Sequence, residues 1–227
     1  DCGLIGGAVL RFKYKVQQYQ TDATKAVTDV FVGQPNEGVS LYLRDIGRLA
    51  MQTLFSQQVE FTQGYGNARV ALAREELLKN IRKLERRNNV PESAELAKSP
   101  GAVSLDIEME TGTGKTYVYT KTMFELNKLY GWSKFIIVVP SIAIREGVYK
   151  SLKNTEQHFF EQYGKAIRYF IYDSKRLNEL DAYSQSSDIN VMIINMQAFN
   201  SGRNQRIIDQ RPDSFRGRRP IDVIAAT

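Results

Sequence analysis

The chain has 227 residues and is 42% hydrophobic, which is enough for one or two domains with a buried core. Its net charge of +6 is compatible with a polyanionic partner, although the charge alone decides little. The single cysteine excludes an internal disulfide framework, the single histidine excludes a histidine metal cluster, and no apolar run reaches the ~18 residues of a membrane span. We therefore expect a protein of a reducing, cytoplasmic compartment with no membrane partner.

The first recognisable elements lie near the N-terminus. Residues 9–16 alternate loosely between apolar and polar side chains and predict a short strand. A helix is expected to begin at Thr21 or Asp22 and to end before Gly33. Directly before it, Gln20 offers an amide donor and an amide acceptor, which suits the edge of a purine. Taken alone, such a glutamine is more often a solvated side chain.

Residues 34–100 give the weakest pattern and are expected to be mostly helical. The stretch 41–55 is compatible with a helix or with partly extended chain, and 63–67 predicts a loop. Residues 68–87 predict an amphipathic helix. One face of this helix is basic, which indicates either a solvated charged surface or a contact with nucleic acid.

From residue 103 onward the pattern alternates between strands and helices. This alternation predicts an α/β fold with a mostly parallel sheet flanked by helices. The predicted strands cover residues 103–109, 134–139, 167–172 and 189–194, and the predicted helices cover residues 117–130, 142–162, 174–183 and a short stretch near 221–225. The first of these strands alternates polar and apolar side chains, whereas a strand buried on both faces should be almost entirely apolar.

The strongest chemical signal lies between the first of these strands and the helix after it. Residues 109–116 read Met-Glu-Thr-Gly-Thr-Gly-Lys-Thr, and a turn ending in Gly-Lys-Thr in this position is typical of a phosphate-binding loop. The glycines let backbone N–H groups point at an anion, and the helix presents its positive end to the same anion. Lys115 would reach the β- and γ-phosphates, and the hydroxyl of Thr116 would coordinate Mg²⁺. The general pattern has glycine at position 109, where this chain has methionine; the alternative is a chance turn with a capping threonine.

Polar residues follow two of the predicted strands, at the edge of a parallel sheet where ligands gather. Ser141 can cap the helix that begins at Ile142 and leave N–H groups open to a phosphate, with Arg145 one turn further on. A plain helix start with a surface arginine is an equal alternative. Other polar positions have a simpler explanation: Asn195 and Gln197 as turn formers, Arg216 to Arg219 as a solvated basic loop, and His158 as a surface or packing residue.

One part of an ATP-hydrolysing site does not occur in the sequence. Hydrolysis needs an aspartate at the end of a buried strand to position Mg²⁺ and a carboxylate to orient the attacking water. No run of four apolar residues leads into Asp-Glu, and Asp173 follows its apolar run without a glutamate. We therefore expect the chain to break off before this element, to bind nucleotide weakly at best, and not to hydrolyse it.

Taken together, these motifs resemble the first motor domain of a superfamily-2 helicase. The resemblance lies in Tyr19-Gln20-x-x-Ala23, in the loop 109–116 and in Val138-Val139-Pro140-Ser141. Three segments are most similar to the Res subunit of type III restriction enzymes: the loop 109–116, the run from Pro140 to Gly147 and the ending Arg219 to Ile224. The resemblance covers nearly the whole chain and is weakest over 34–100 and the first eight residues.

The resemblance implies a role for individual residues. Gln20 would read adenine, and the phosphates of ATP would be bound by Thr111, Gly112, Thr113, Gly114, Lys115 and Thr116. Lys115 and Thr116 would take part in catalysis, with Thr116 holding Mg²⁺, and the nucleic-acid backbone would be held by Pro140, Ser141 and Arg145. Residues 195–199 lie where a second backbone-contacting motif is expected, but they lack its usual threonine.

The resemblance also implies an overall organisation and a function for a longer protein. A RecA-like P-loop domain would comprise residues 1–33 with the adenine-reading glutamine, a mostly helical insertion over 34–100, and the ATP-binding part over 101–227. The longer protein would couple ATP hydrolysis to movement on double-stranded DNA and to its cleavage, together with a Mod-type methyltransferase subunit. The alternatives are another superfamily-2 DNA or RNA helicase, a phosphate-loop kinase or small-molecule NTPase, and a fold that keeps the loop without catalysis.

Overall fold

A computed structural model describes residues 14–47, 61–99, 101–199 and 206–227 of the chain, which fold as a mixed α/β protein. The elements in chain order are α1 (Gln18–Thr28), β1 (Val39–Asp45), β2 (Phe61–Asn67), α2 (Arg74–Arg87), α3 (Lys115–Tyr130), β3 (Lys134–Val139), α4 (Ile142–Tyr163), β4 (Ile167–Ile171), α5 (Asn178–Gln185), β5 (Ile189–Asn195) and α6 (Pro220–Ala226). Within these ranges, no helix combines the length and the apolar character that crossing a membrane requires.

Three parallel strands form the central sheet in the order β3, β5, β4. The middle strand β5 is buried from Ile189 to Ile194, as expected for an apolar strand covered on both faces. β3 runs beside it in a register that places Val139 opposite Asn195. The parallel sheet is therefore confirmed, and so are the strands that the sequence predicts for β3, β4 and β5.

Helices cover both faces of this sheet. On one face, Phe124 of α3 and Phe159 of α4 pack against Val191 of β5. On the other face, Leu180 of α5 packs against Met192. Full burial of a side chain of this size contributes roughly 1.5–3 kcal/mol. The apolar face of α3 thus fixes this helix, and the loop at its N-terminus, against the sheet.

The segment 63–67, which the sequence predicts as a loop, is instead the strand β2. It pairs antiparallel with β1, and Gly64 and Gly66 are both buried. A Cβ atom at Gly64 would lie 2.6 Å from the ring of Tyr42, and one at Gly66 would lie 2.6 Å from the carbonyl oxygen of Thr227. The glycines therefore mark close approaches within a strand and not a turn.

The segment 34–100 is not mostly helical over its described residues, because it contributes the β1–β2 hairpin as well as α2. It shares a core with the rest of the chain. Asn67 accepts hydrogen bonds from the backbone N–H groups of Ser133 at 2.8 Å and Lys134 at 2.9 Å. The indole N–H of Trp132 donates to the carbonyl oxygen of Ala68 at 2.9 Å. These bonds join the hairpin directly to the start of β3.

The strand predicted over residues 103–109 belongs to neither sheet. Its backbone makes no hydrogen bond to another backbone among the described residues. Val103 and Leu105 pack instead on the apolar cluster around Trp132, while Ser104 and Asp106 are exposed. The alternating pattern therefore separates half-buried from exposed side chains up to Asp106 but not at Ile107, which is 45% exposed, and the segment pairs with no strand among the described residues.

Some predicted boundaries shift because tertiary hydrogen bonds take the place of helical ones. α2 begins at Arg74 and not near residue 68, because the N–H of Ala71 bonds to the side chain of Gln34 at 2.7 Å. α1 begins at Gln18, slightly before the predicted start. Residues 9–13 and 48–55, for which a strand and a helix or extended chain are predicted, lie outside the described residues.

The basic loop 216–219 is only partly solvated, contrary to the prediction. Arg216 is exposed and Arg219 is half-buried, but Arg218 is 6% exposed and its guanidinium makes a two-pronged contact with Asp181 of α5, at 2.8 Å for each pair of atoms. Arg44 of β1, also 6% exposed, donates to the same carboxylate at 2.8 Å. One aspartate thus joins the hairpin, α5 and the loop before α6.

Candidate functional site

Residues 109–116 form a tight turn that leads directly into α3. Gly112 and Gly114 have φ angles of +83° and +85°, in the left-handed region that favours glycine. α3 begins at Lys115, and no side chain caps its start. The backbone N–H groups at this helix start are therefore available to an anion, which the positive end of the helix also attracts.

The side chain of Lys115 lies over this turn. Its Nζ donates to the carbonyl oxygens of Met109 at 2.5 Å and Glu110 at 2.9 Å. The hydroxyl of Thr113 donates to the same Glu110 carbonyl at 2.6 Å. A bound phosphate would compete with these two carbonyl oxygens for the ammonium group. Of the remaining predicted loop residues, Thr111 and Gly112 are exposed and Thr116 is half-buried.

The turn suits a phosphate better than it suits a bare metal ion. Over the described part of the chain, no three His, Cys, Asp or Glu side chains are grouped so that they could hold a metal. A Mg²⁺ ion on the Thr116 hydroxyl would take its other ligands from phosphate oxygens and water, as Mg²⁺ commonly does.

α1 holds the turn from the side. The amide Nε2 of Gln20 donates to the carbonyl oxygen of Thr113 at 2.9 Å, and the hydroxyl of Tyr19 donates to the same oxygen at 3.2 Å. α1 is itself fixed on α3 by the buried Lys121, whose Nζ donates to the hydroxyl of Thr21 at 3.0 Å. The structure thus brings Gln20 to the phosphate-type loop, and it places the Tyr19 hydroxyl on the same carbonyl, a contact that no local sequence pattern predicts.

A cavity of about 700 Å³ lies beside the turn. α1 and the loop after α2 form two of its walls, and the residues that lead into the turn form a third. Four carboxylates border it, so the cavity itself disfavours anions. Its lining includes Tyr19, Asp22, Ala23, Ala26, Asn88, Val90, Asp106, Glu108, Glu110 and Thr113.

The carboxyl ends of β3 and β5 bring the second group of predicted residues together. The side chain of Gln197 donates to the carbonyl oxygen of Pro140 at 3.2 Å. The Ser141 hydroxyl accepts from the N–H of Ile144 at 3.3 Å and so caps α4, as the sequence predicts. Among the hydrogen bonds and ion pairs of the described residues, none joins this edge to the turn 109–116.

Two basic features have intramolecular partners. Arg145 donates to Glu146 through Nη2 at 2.8 Å, so a contact with a nucleic-acid phosphate would have to replace this ion pair. On α2, Arg82 donates to the carbonyl oxygens of Ser93 at 2.8 Å and Ala94 at 2.7 Å. Part of the basic face of α2 therefore serves to hold the following loop.

His158 has the packing role that the sequence predicts. Its Nε2 lies 3.0 Å from the hydroxyl of Tyr117, and its ring lies 4.9 Å from that of Tyr14. Burial lowers the pKa of His158 below its usual value, chiefly because the charged form is desolvated. The residue is thus part of the aromatic core under α3.

The fold and the turn define a mixed α/β protein with a phosphate-type loop at the start of a helix. A family profile described as "Type III restriction enzyme, res subunit" matches residues 13–217. The chain belongs to this family.

Three curated proteins illustrate the relationship. The chain is 38% identical over 112 residues to the type III restriction-modification enzyme EcoPI Res subunit of Escherichia phage P1, a match that covers 48% of this chain. It is 30% identical over 148 residues, or 60% of the chain, to the EcoP15I Res subunit of Escherichia coli. It is 50% identical over 62 residues, or 26% of the chain, to the StyLTI Res subunit of Salmonella typhimurium. These matches cover 11%, 15% and 6% of the respective relatives, so the chain spans a small part of their length.

Proposed function

We propose that this chain is the ATP-binding part of the first motor domain of a type III restriction subunit, with a RecA-like P-loop fold. The observation that carries the proposal is the uncapped start of α3 behind two left-handed glycines, with Lys115 lying over it. N–H groups, a helix dipole and an ammonium group converge there. Together they suit the phosphates of a nucleotide.

The nucleotide in this proposal is ATP with Mg²⁺. Thr111 to Thr116 bind the phosphates, and Thr116 holds the ion, which would draw charge from the phosphates during hydrolysis. Gln20 donates one amide N–H to the carbonyl oxygen of Thr113, so its second N–H and its amide oxygen remain available to a base. A donor beside an acceptor suits the N7 and N6 edge of adenine. The adjoining cavity has the size of many ligand pockets.

The edge formed by β3 and β5 is proposed to hold a nucleic-acid backbone. Pro140 and Ser141 stand at the end of β3 and at the start of α4, where N–H groups face outward. Gln197 positions this edge through its bond to the carbonyl of Pro140. Arg145 adds the positive charge once it leaves Glu146. Contacts of this kind fix the backbone and carry no base sequence.

The remaining proposals concern the longer protein. Residues 1–33, 34–100 and 101–227 are its adenine-reading segment, an insertion and the first part of its motor. The acidic element for hydrolysis would be supplied by further residues of that longer protein. The longer protein moves on double-stranded DNA in the cytoplasm by hydrolysing ATP. We also propose that it cleaves that DNA together with a methyltransferase subunit. The support is that its relatives are named as Res subunits of restriction-modification enzymes.

The first test measures binding of a fluorescent ATP analogue to the 227-residue chain in the presence of Mg²⁺. Hydrogen bonds to a charged group contribute about 1.5–3 kcal/mol, so Lys115→Ala should weaken the weak binding of the unaltered chain by roughly 10- to 100-fold. Lys128→Ala is the matched control, because Lys128 is exposed on the last turns of the same helix. It should leave binding unchanged.

Two further results would contradict the proposal. Steady-state ATP hydrolysis by the 227 residues alone would show that the acidic element is not needed from elsewhere. In the longer protein, Lys115→Ala should abolish ATP-dependent DNA cleavage. Cleavage at the unaltered rate would refute the motor role.

A further inference from the structure

Two neighbouring side chains of α1 share one acceptor in the turn 109–116. The hydroxyl of Tyr19 and the Nε2 of Gln20 both donate to the carbonyl oxygen of Thr113, at 3.2 Å and 2.9 Å. A carbonyl oxygen has two lone pairs, so it accepts both bonds at once. Thr113 lies between the two left-handed glycines of the turn, at the point where the backbone must hold its N–H groups towards an anion.

The two donors differ in what they can do besides hold this carbonyl. The amide of Gln20 keeps a second N–H and its oxygen, which makes it able to bind a base at the same time. The hydroxyl of Tyr19 has a single hydrogen, and that hydrogen is used on Thr113. Tyr19 therefore holds the turn irrespective of what occupies a base pocket.

The surroundings show that α1 is a firm support for these bonds. Lys121 is 5% exposed and ties α1 to α3 through the hydroxyl of Thr21. A Cβ atom at Gly114 would lie 2.7 Å from Nε2 of Gln20, so the backbone of the turn approaches the side chain as closely as a glycine allows. Tyr19 is 48% exposed, so replacing its hydroxyl by hydrogen does not disturb the buried core.

We propose that Tyr19 is a positioning residue for phosphate binding, which acts through Thr113 and independently of the base. Gln20 donates to the same carbonyl oxygen and, in addition, binds the base. This inference rests on the proposed nucleotide site. It adds that triphosphate affinity depends on the hydroxyl of Tyr19, and that recognition of the base does not.

The test compares two probes, Mg²⁺–ATP and Mg²⁺–tripolyphosphate, by titration calorimetry with the 227-residue chain. Tyr19→Phe removes one neutral hydrogen bond, and it should weaken both probes by the same factor, about fivefold. Gln20→Ala should weaken ATP more than tripolyphosphate, because only ATP carries a base. Tyr14→Phe is the matched control, since its hydroxyl also donates to a backbone carbonyl, that of Asn154 at 3.4 Å, on a different helix. It should change neither affinity.

Each of the other possible results contradicts either the role of Tyr19 or the nucleotide site itself. Unchanged affinities in Tyr19→Phe, with Lys115→Ala still losing both probes, overturn the role of Tyr19 and leave the nucleotide site standing. A loss for ATP alone in Tyr19→Phe would place the hydroxyl at the base and also overturn it. If neither probe binds the unaltered chain, or if Lys115→Ala has no effect on bound probes, the nucleotide site and the inference that rests on it both fail. Thermal unfolding of Tyr19→Phe within about 1 °C of the unaltered chain excludes a loss of fold.

Discussion

The buried Lys134 makes the stability of this protein depend on pH in a predictable direction. Lys134 is the first residue of β3 and is 5% exposed. Its Nζ donates to the carbonyl oxygens of Tyr183, at 2.5 Å, and Ser186. The pKa of this ammonium group is lowered from 10.5 to about 8, chiefly by desolvation; the nearby Asp188 opposes this change and Arg168 adds to it. The folded protein thus holds this proton less tightly than the unfolded chain.

The direction in which the free energy of unfolding changes with pH follows from the number of protons bound in the folded and unfolded states. Below pH 8, both states carry the proton, so Lys134 contributes no pH dependence. Between pH 8 and 10.5, the unfolded chain still binds the proton that the folded protein has released, so the free energy of unfolding rises with pH. The full difference corresponds to roughly 3 kcal/mol, and the part between pH 8 and 9.5 to about 2 kcal/mol. From about pH 9 upward, Tyr183 and other partly buried tyrosines, among them Tyr163, Tyr169 and Tyr172, act in the opposite direction, because burial raises their pKa values.

The assay is urea unfolding at pH 7.5, 8.5 and 9.5, followed by the fluorescence of Trp132. This is the single tryptophan of the chain, and it is 8% exposed in the fold. Lys134→Met should flatten the rise between pH 8 and 9.5, whereas Lys128→Met, on the surface, should keep it. A rise of the same size in Lys134→Met, or a fall in the unaltered protein over this range, would refute the reasoning.

Three more substitutions test separate parts of the structure. Asp181→Asn leaves two buried guanidinium groups without their carboxylate and should lower the free energy of unfolding by about 3 kcal/mol. The control Asp222→Asn, at an exposed ion pair, should lower it by less than about 1 kcal/mol. Equal effects of the two substitutions in urea unfolding would contradict the buried network. Gly114→Ala forces a left-handed residue against Gln20 and should cost about 1–2 kcal/mol, while Gly147→Ala, in a helix with open space around it, should be neutral or stabilising in thermal unfolding. Asn67→Ala removes bonds to two backbone N–H groups at the start of β3 and should cost roughly 2–3 kcal/mol in urea, whereas a loss below about 0.5 kcal/mol would show that the hairpin is not held there.

The sequence predicts those elements whose signal is local. β3 and β5 are mostly apolar runs, which are typical of strands in a parallel sheet; β5 is buried from Ile189 to Ile194, whereas β3 leaves Ile136 and Val138 exposed. The turn 109–116 is recognisable because glycines that require a left-handed backbone stand at fixed spacing before a helix. The cap of α4 by Ser141 is equally local, since donor and acceptor are three residues apart.

Features that depend on partners far away in the sequence cannot be predicted from local patterns. Gly64 has the appearance of a loop residue until the ring of Tyr42 is known to lie across from it. Tyr19 has no local partner at all, because its acceptor is 94 residues further along the chain. The burial of Arg218 follows from Asp181 on another helix, whereas in the sequence the arginine appears only as one of a basic group. The segment 103–109 shows the converse case, an alternating pattern that pairs with no strand in the part of the chain that the structure describes.

Among the described residues, no strand pairs with the backbone of residues 103–109, so this segment can report on the assembly of the protein. Peptide groups outside any ladder exchange their hydrogens quickly and fit the extended active-site clefts of proteases. A protease added at low concentration should therefore cut between Val103 and Met109 before it cuts within β3, β4 or β5. When further strands pair with this segment, the same bonds become resistant. The rate of this cleavage thus measures how far the sheet beside the turn 109–116 has been completed, without any nucleotide or DNA in the assay.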